Sequence, residues 1–238
     1  IEQSGCMGIT VRTKNGETLQ VHARDTVLAT GGIGGLFKYS TNFPSLTGDA
    51  IKIAKKHEIE LAHLDYIQFH PTTLYTEKPG RRFLISESAR GEGAILINGK
   101  GERFVDELLP RDEVTKAIEA QMEIEKSKFV RLSFAPLGKE RILHSFPNIY
   151  ERCLEEGYDI TKEPIPVVPA QHYFMGGIHV DGHSKTSMEH LYAVGETSCN
   201  GVHGKNRLAS NSLLESLVFA ERAAAKITAD KDAKGELK

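Results

Sequence analysis

Residues 201–215 read "GVHGKNRLASNSLLE". A histidine, a lysine and an arginine stand among small residues, and residues 210–227, "SNSLLESLVFAERAAAKI", then follow an amphipathic pattern that predicts a helix. A helix opening on Ser210-Asn211-Ser212 presents free backbone N–H groups and the positive end of its dipole, with Arg207 and His203 just outside. That end can stabilise a negative charge. Immediately upstream, "MEHLYAVGETS" (188–198) predicts a buried strand, Leu191 to Val194, ending in Gly195-Glu196. Near the other end of the chain "RDTVLATGGIGGLF" (24–37) repeats the device, with a strand from Thr26 to Ala29 entering a glycine-rich turn. Glycines there let backbone approach a nucleotide. The spacing is not a clean G-x-G-x-x-G, so nucleotide contact and a tight structural turn both stay open.

Between these ends the texture changes. "CMGITVRTKNGETLQVHA" (6–23) alternates apolar and polar residues around Asn15-Gly16, which predicts a hairpin on a type I′ turn. "SLTGDAIKIAKKHEIEL" (45–61) predicts a helix capped near Thr47 or Asp49, with Ile51, Ile53, Ala54 and Ile59 as its apolar residues. From Leu64 to about Ala170 the chain reads as an insertion. It holds a second hairpin signal, "AILINGKGERFV" (94–105), and a helix from Arg111 with Val114, Ile118 and Met122 on one face. Arginine at a helix start opposes the dipole. Arg111 therefore either pairs with Asp112 or Glu113, or meets a bound anion together with free N–H groups. The fold class expected is α/β, with a main domain formed by 1–63 and 172–238 and an α+β insertion at 64–171.

Composition narrows the function classes. Thirty basic against 32 acidic residues leave no field for nucleic acid or an anionic membrane. The three cysteines, Cys6, Cys153 and Cys199, lie far apart and have no metal spacing, as expected of free thiols in the cytoplasm. No apolar run is long enough for a membrane span. The opening "IEQSGCMGITV" is already strand-like and lacks an initiator methionine, so the chain reads as the interior of a longer protein. His70, His172, Arg111 and Arg207 come from separate segments and would bind a small polyanion if they converged.

Five ordered motifs, "QFHPTTLY", "RGEGAILINGKGERFVDE", "PRDEV", "PVVPAQHYFMGGI" and "GVHGKNRLASNSLLE", resemble the flavoproteins of the fumarate reductase, succinate dehydrogenase and L-aspartate oxidase superfamily. "ATGGIGGLF" and "TGDA" extend the resemblance upstream. "RLASNSLLE" is most similar to the aspartate oxidases, whereas the respiratory branch tends toward "RLGANSLLD" and has glycine at the position of Thr73. Lys205 departs from the usual alanine, and Ser86 stands where relatives often carry threonine.

The resemblance implies a partial Rossmann-like FAD-binding domain interrupted by a capping domain, without the N-terminal Rossmann motif and the C-terminal helical domain. A chain so cut is expected to bind FAD weakly and to be inactive alone. It implies non-covalent FAD contacts at Gly31, Gly32, Asp49, Glu196, Asn211, Ser212 and Leu213. It assigns substrate carboxylates to His70, Ser86, His172 and Arg207, and a catalytic role to Arg111. The implied chemistry is hydride transfer from the Cα of L-aspartate to the flavin, giving iminoaspartate, with oxygen or fumarate reoxidising the flavin. This is the first step of de novo NAD synthesis, with transient hand-off of the product to quinolinate synthase. A respiratory flavoprotein subunit and a dicarboxylate-binding module without redox chemistry are the two alternatives.

Overall fold

A computed structural model describes residues 5–233. In chain order the elements are β1 (Gly8–Arg12), β2 (Thr18–His22), β3 (Thr26–Leu28), α1 (Asp49–Lys56), β4 (Leu61–Ala62), β5 (Ile67–Leu74), α2 (Glu87–Gly91), β6 (Ile95–Ile97) and α3 (Arg111–Glu125). Then come β7 (Val130–Ser133), α4 (Lys139–Ser145), α5 (Pro147–Glu155), β8 (Ile165–Phe174), β9 (Gly177–His179), β10 (Leu191–Ala193), β11 (Ser198–Cys199) and α6 (Asn211–Ala233). The mixed α/β chain forms two compact units.

The first unit contains the chain up to Ile33, Leu46–Ile67 and the chain from Tyr173. Its centre is the parallel pair β3–β10, in which Thr26 faces Leu191 and Leu28 faces Ala193. Strand side chains alternate between faces. Leu191 and Ala193 accordingly join Ala50, Ala54, Ile178 and Val180 in one core, which brings in α1 and β9. Tyr192 and Val194 point the other way and pack with Ala223 and Ile227 of α6. A strand pair with a helix on each face results. β9 also runs between β4 and β11 in a small three-stranded sheet.

The second unit contains Gly34–Ser45 and Gln68–His172. Its four-stranded sheet has the order β5-β8-β7-β6, with β6–β7 and β7–β8 antiparallel. Leu96, Leu132, Ile165 and Val167 of the sheet meet Val114 and Ile118 of α3, Ile142 of α4 and Ile149 of α5 in one buried core.

Several local expectations change. The β1–β2 hairpin forms with Val11 opposite Leu19, but its turn is not type I′. Only Gly16 has positive φ (85°), and its N–H bonds to Thr13 O, the pattern of a type I turn closed by a glycine bulge. Both strands are largely exposed rather than half-buried. Helix α1 takes Gly48, at φ 68°, as its N-cap with no side-chain cap bond; Thr47 bonds the Asp49 carboxylate instead. Ile53 is exposed, and Ala50 and Ala54 carry the buried face. The second hairpin reduces to a single bridge, Ile97 to Arg103. Its return strand is diverted because the buried Glu107 carboxylate binds both Leu96 N–H and the Arg103 guanidinium, while β6 pairs with β7. Residues 34–45, expected in the main domain, belong to the second unit. Ser40 and Asn42 both donate to the Gln171 side chain, and the Thr41 N–H donates to Gln171 O.

Candidate functional site

In the first unit the expected cofactor residues gather beyond the carboxyl ends of β3 and β10. That is where open α/β sheets take ligands. β3 runs into Gly31, whose φ of 73° suits glycine, and then Gly32. A Cβ on Gly31 would touch Leu46 Cδ2 at 3.0 Å, and one on Gly48 would lie 2.9 Å from Ile33 Cγ2. The glycine turn thus packs on the segment that opens α1 at Asp49. Gly32 leaves no room for a side chain, since its Cβ would fall 2.4 Å from Glu196 Oε1. β10 runs into Gly195-Glu196, and a Cβ on Gly195 would reach Ser216 Oγ of α6 at 3.5 Å.

Glu196 accepts the Phe174 N–H at 2.9 Å. Burial pushes its carboxyl up to about 7, against the opposing pull of that bond and of Arg207. The group is poised to exchange a proton or donate a hydrogen bond near neutrality. α6 carries no acidic residue in its first turn, where Asn211, Ser212 and Leu213 stand. Leu213, Leu214 and Leu217 are exposed beside it, an apolar surface next to the positive end of a 23-residue helix. A flat, partly anionic ring system fits such a surface. Asp49 is exposed and already bonded to Thr47 and Lys52, so its own side chain is locally engaged. Arg207 is buried, with its guanidinium 4.5 Å over the Tyr173 ring.

The second unit brings together His70, His172 and Arg111. His70 is 1 % exposed, and its ring centroid lies 5.4 Å from that of His172. Its Nδ1 accepts the Thr72 N–H at 3.2 Å, so the neutral ring carries its proton on Nε2, which is buried without a hydrogen-bond partner. Burial first, then His172, Arg111 and Arg90, hold its pKa well below the usual histidine range. Thr41 Oγ1 and His172 Nδ1 are 2.8 Å apart, and Asn42 donates to His172 O.

Arg111 is the first residue of α3 and is buried. Its guanidinium turns to Glu87 and Gln68: Nε and Nη2 reach Glu87 Oε2 at 3.0 and 2.5 Å, and Nη1 reaches Gln68 Oε1 at 2.9 Å. Ser86 caps α2 by accepting the Ser88 N–H at 3.3 Å, and its hydroxyl lies 2.7 Å from Ser88 Oγ.

Sequence reasoning missed Glu87, Arg90, Gln68 and Thr41 here, and Tyr173 and Glu215 in the first unit. Arg90 is 2 % exposed, lies 3.5 Å from Glu87 and donates to Glu107 O at 2.6 Å. Burial lowers its pKa. The signal available was Glu87 and Arg90 at i,i+3 spacing inside "ESARG". Among the described residues no group of His, Cys, Asp and Glu could hold a metal ion. Cys6, Cys153 and Cys199 are free thiols, and no described helix is long and apolar enough to cross a membrane.

A family model for the FAD binding domain matches residues 1–213. The chain belongs to that family. Its relatives include an L-aspartate oxidase of Clostridium perfringens, 59 % identical over 223 residues, covering 93 % of this chain and 51 % of that protein. An L-aspartate oxidase of Neisseria meningitidis is 46 % identical, covering 94 % of this chain and 46 % of that protein. The chain therefore spans about half the length of these curated relatives. Among solved structures, an E. coli quinol fumarate reductase aligns with a TM-score of 0.77 at 36 % identity, over 87 % of this chain and 39 % of that one.

Proposed function

We propose that this chain is the central part of an FAD-dependent oxidase that converts L-aspartate to iminoaspartate, with oxygen or fumarate as electron acceptor. In this reading the first unit is part of a Rossmann-like FAD-binding domain and the second is an inserted capping domain. The observation that carries the reading is the buried His70 Nε2–H, a donor with no partner in the company of Arg90 and Arg111. A cation-rich, desolvated site with an unused donor is adapted to an anionic ligand. The 46–59 % identity to aspartate oxidases supports a dicarboxylate amino acid as that ligand.

Gly31, Gly32, Glu196 and the start of α6 at Asn211, Ser212 and Leu213 would hold FAD without a covalent bond, with Asp49 at the rim of that group. FAD, when bound, supplies a hydride acceptor for the substrate Cα. In the second unit, His70 and His172 would bind substrate carboxylate together with the Ser86 hydroxyl, and in the first unit Arg207 is likewise proposed to bind carboxylate. Fixed contacts of this kind align the Cα–H bond and lower the entropy cost of transfer. Forming the imine also removes a proton from the substrate amine. Arginine is a poor base at its ordinary pKa. The Arg111–Glu87 pair therefore acts as one unit, with the carboxylate as proton acceptor and its half-exposed side chain open to solvent.

Anaerobic mixing of the flavin-loaded, full-length protein with L-aspartate or, separately, succinate tests this reading. Bleaching of the flavin absorption by L-aspartate alone is the expected result. Bleaching by succinate alone would move the protein to the respiratory branch, and bleaching by neither would leave a binding module.

A further inference from the structure

We propose that Glu215 is a positioning residue for Arg207, acting through the ring of Tyr173. The proposal rests on the carboxylate-binding role given to Arg207 above, and every residue it uses lies in the first unit. Glu215 stands four residues into α6, and its side chain is 3 % exposed. A carboxylate so buried is costly unless its oxygens are satisfied. Here Oε2 accepts from Tyr173 Oη at 3.1 Å, and Oε1 accepts from Asn200 Nδ2 at 2.6 Å. His203 Nε2 lies 3.9 Å from Oε2. The helix thus spends a buried charge on fixing a tyrosine.

Tyr173 uses that anchor to present its ring. The hydroxyl bond fixes the tilt of the ring, and the edge of His203 closes one side at a centroid distance of 5.6 Å and 85°. Arg207 lies over the ring face, and its Nη1 donates to Leu208 O at 3.2 Å. Stacking constrains the guanidinium plane while leaving its edges for in-plane bonds, the geometry a bidentate carboxylate needs. Burial, with Glu215 and Glu196 nearby, raises the Tyr173 pKa, so the phenol keeps the proton it donates. Glu215 meets the hydroxyl end of the Tyr173 ring, and Arg207 lies over its face. The effect of Glu215 on substrate is therefore one of orientation.

The test compares Glu215→Gln, Tyr173→Phe, Arg207→Lys and the Glu215→Gln/Arg207→Lys pair in the flavin-loaded, full-length protein. Succinate is the probe, titrated against the visible flavin spectrum, and kcat and KM for L-aspartate are measured alongside. Glu215→Gln and Tyr173→Phe are expected to raise the succinate Kd and the KM about 5- to 20-fold with kcat within about threefold, a range set by one lost orienting hydrogen bond. Arg207→Lys should raise Kd by more, and the paired variant should bind no worse than Arg207→Lys alone, because the path runs through Arg207. Multiplying effects in the paired variant would overturn the proposal, as would an unchanged Kd in both Glu215→Gln and Tyr173→Phe while Arg207→Lys weakens binding. Should Arg207→Lys bind succinate normally, the carboxylate role itself falls and this proposal with it. Tyr173→Phe keeps the ring and removes only the hydroxyl, so it reports even where Glu215→Gln fails to fold.

Discussion

The Thr72 N–H donates to Nδ1 of His70 at 3.2 Å, and that bond decides which ring nitrogen carries the proton. Nε2 is left as a buried donor without a partner. An unmet buried donor costs about 1–3 kcal/mol, recovered when a ligand accepts from it. His70→Asn places an amide oxygen where Nδ1 was and withdraws the Nε2 donor. Its unfolding free energy from urea titration should stay within about 1 kcal/mol of the parent, while dicarboxylate affinity falls about 10- to 100-fold. A variant that binds the ligand normally would remove His70 from the binding set.

Acid should act through the same ring. The folded pKa of His70 lies below the ordinary 6.5, so below that pH the unfolded chain takes up a proton the folded one refuses. Stability from this group is complete above about pH 6.5 and lost as the pH falls toward the depressed folded value. Glu196 has the opposite sign. Its carboxyl is raised from 4.5 to about 7, so its contribution is complete below pH 4.5 and lost as the pH rises to about 7. Glu196→Gln should therefore gain stability relative to the parent at pH 8 but not at pH 4.5, read from thermal midpoints at both. Equal effects at the two pH values would mean that the carboxyl is not held protonated.

Much of this architecture is legible in the sequence. The strands at 26–28 and 191–193, the glycine turns after them and the helix from Asn211 follow from short apolar runs that end in glycine or begin on Ser-Asn-Ser. Local patterns of that kind carry their own cause. What escaped depends on partners distant in sequence. Residues 34–45 look like a continuation of the first glycine turn, yet they belong to the second unit, where Ser40 and Asn42 both bond the side-chain oxygen of Gln171, over a hundred residues on. Arg111 is expected from the sequence either to pair with Asp112 or Glu113 or to meet a bound anion, and it bonds Glu87 and Gln68. Glu215 looks like one more polar residue of an amphipathic helix; only the approach of Tyr173 and Asn200 makes it buried.

Gly177 has no freedom to change. Its φ is 143°, and a Cβ would sit 2.5 Å from Thr197 O, a backbone atom that cannot rotate away. The residue pairs β9 with Ala62 of β4 while its next neighbour, Ile178, pairs with Ser198 of β11. Gly177→Ala should cost at least about 2–3 kcal/mol from strain and displaced pairing together. Gly16→Ala meets no atom within 4 Å and carries only the positive-φ penalty, about 1 kcal/mol. Urea unfolding of the two variants side by side checks the contrast.

The Arg111–Glu87 pair makes the sharpest functional demand. Two guanidinium nitrogens converge on one carboxylate oxygen, and the third bonds Gln68, so lysine cannot reproduce the set. Arg111→Lys is expected to cut kcat for L-aspartate about 10²- to 10⁴-fold, the usual worth of a positioned proton-transfer group. Glu87→Gln keeps a hydrogen-bond acceptor for Arg111 and removes the proton acceptor. It should lower kcat by a similar factor with KM nearly unchanged, and pre-steady-state flavin reduction should slow in parallel. A Glu87→Gln enzyme that reduces its flavin at the parental rate would show that the pair holds Arg111 in place and that the proton leaves by another route.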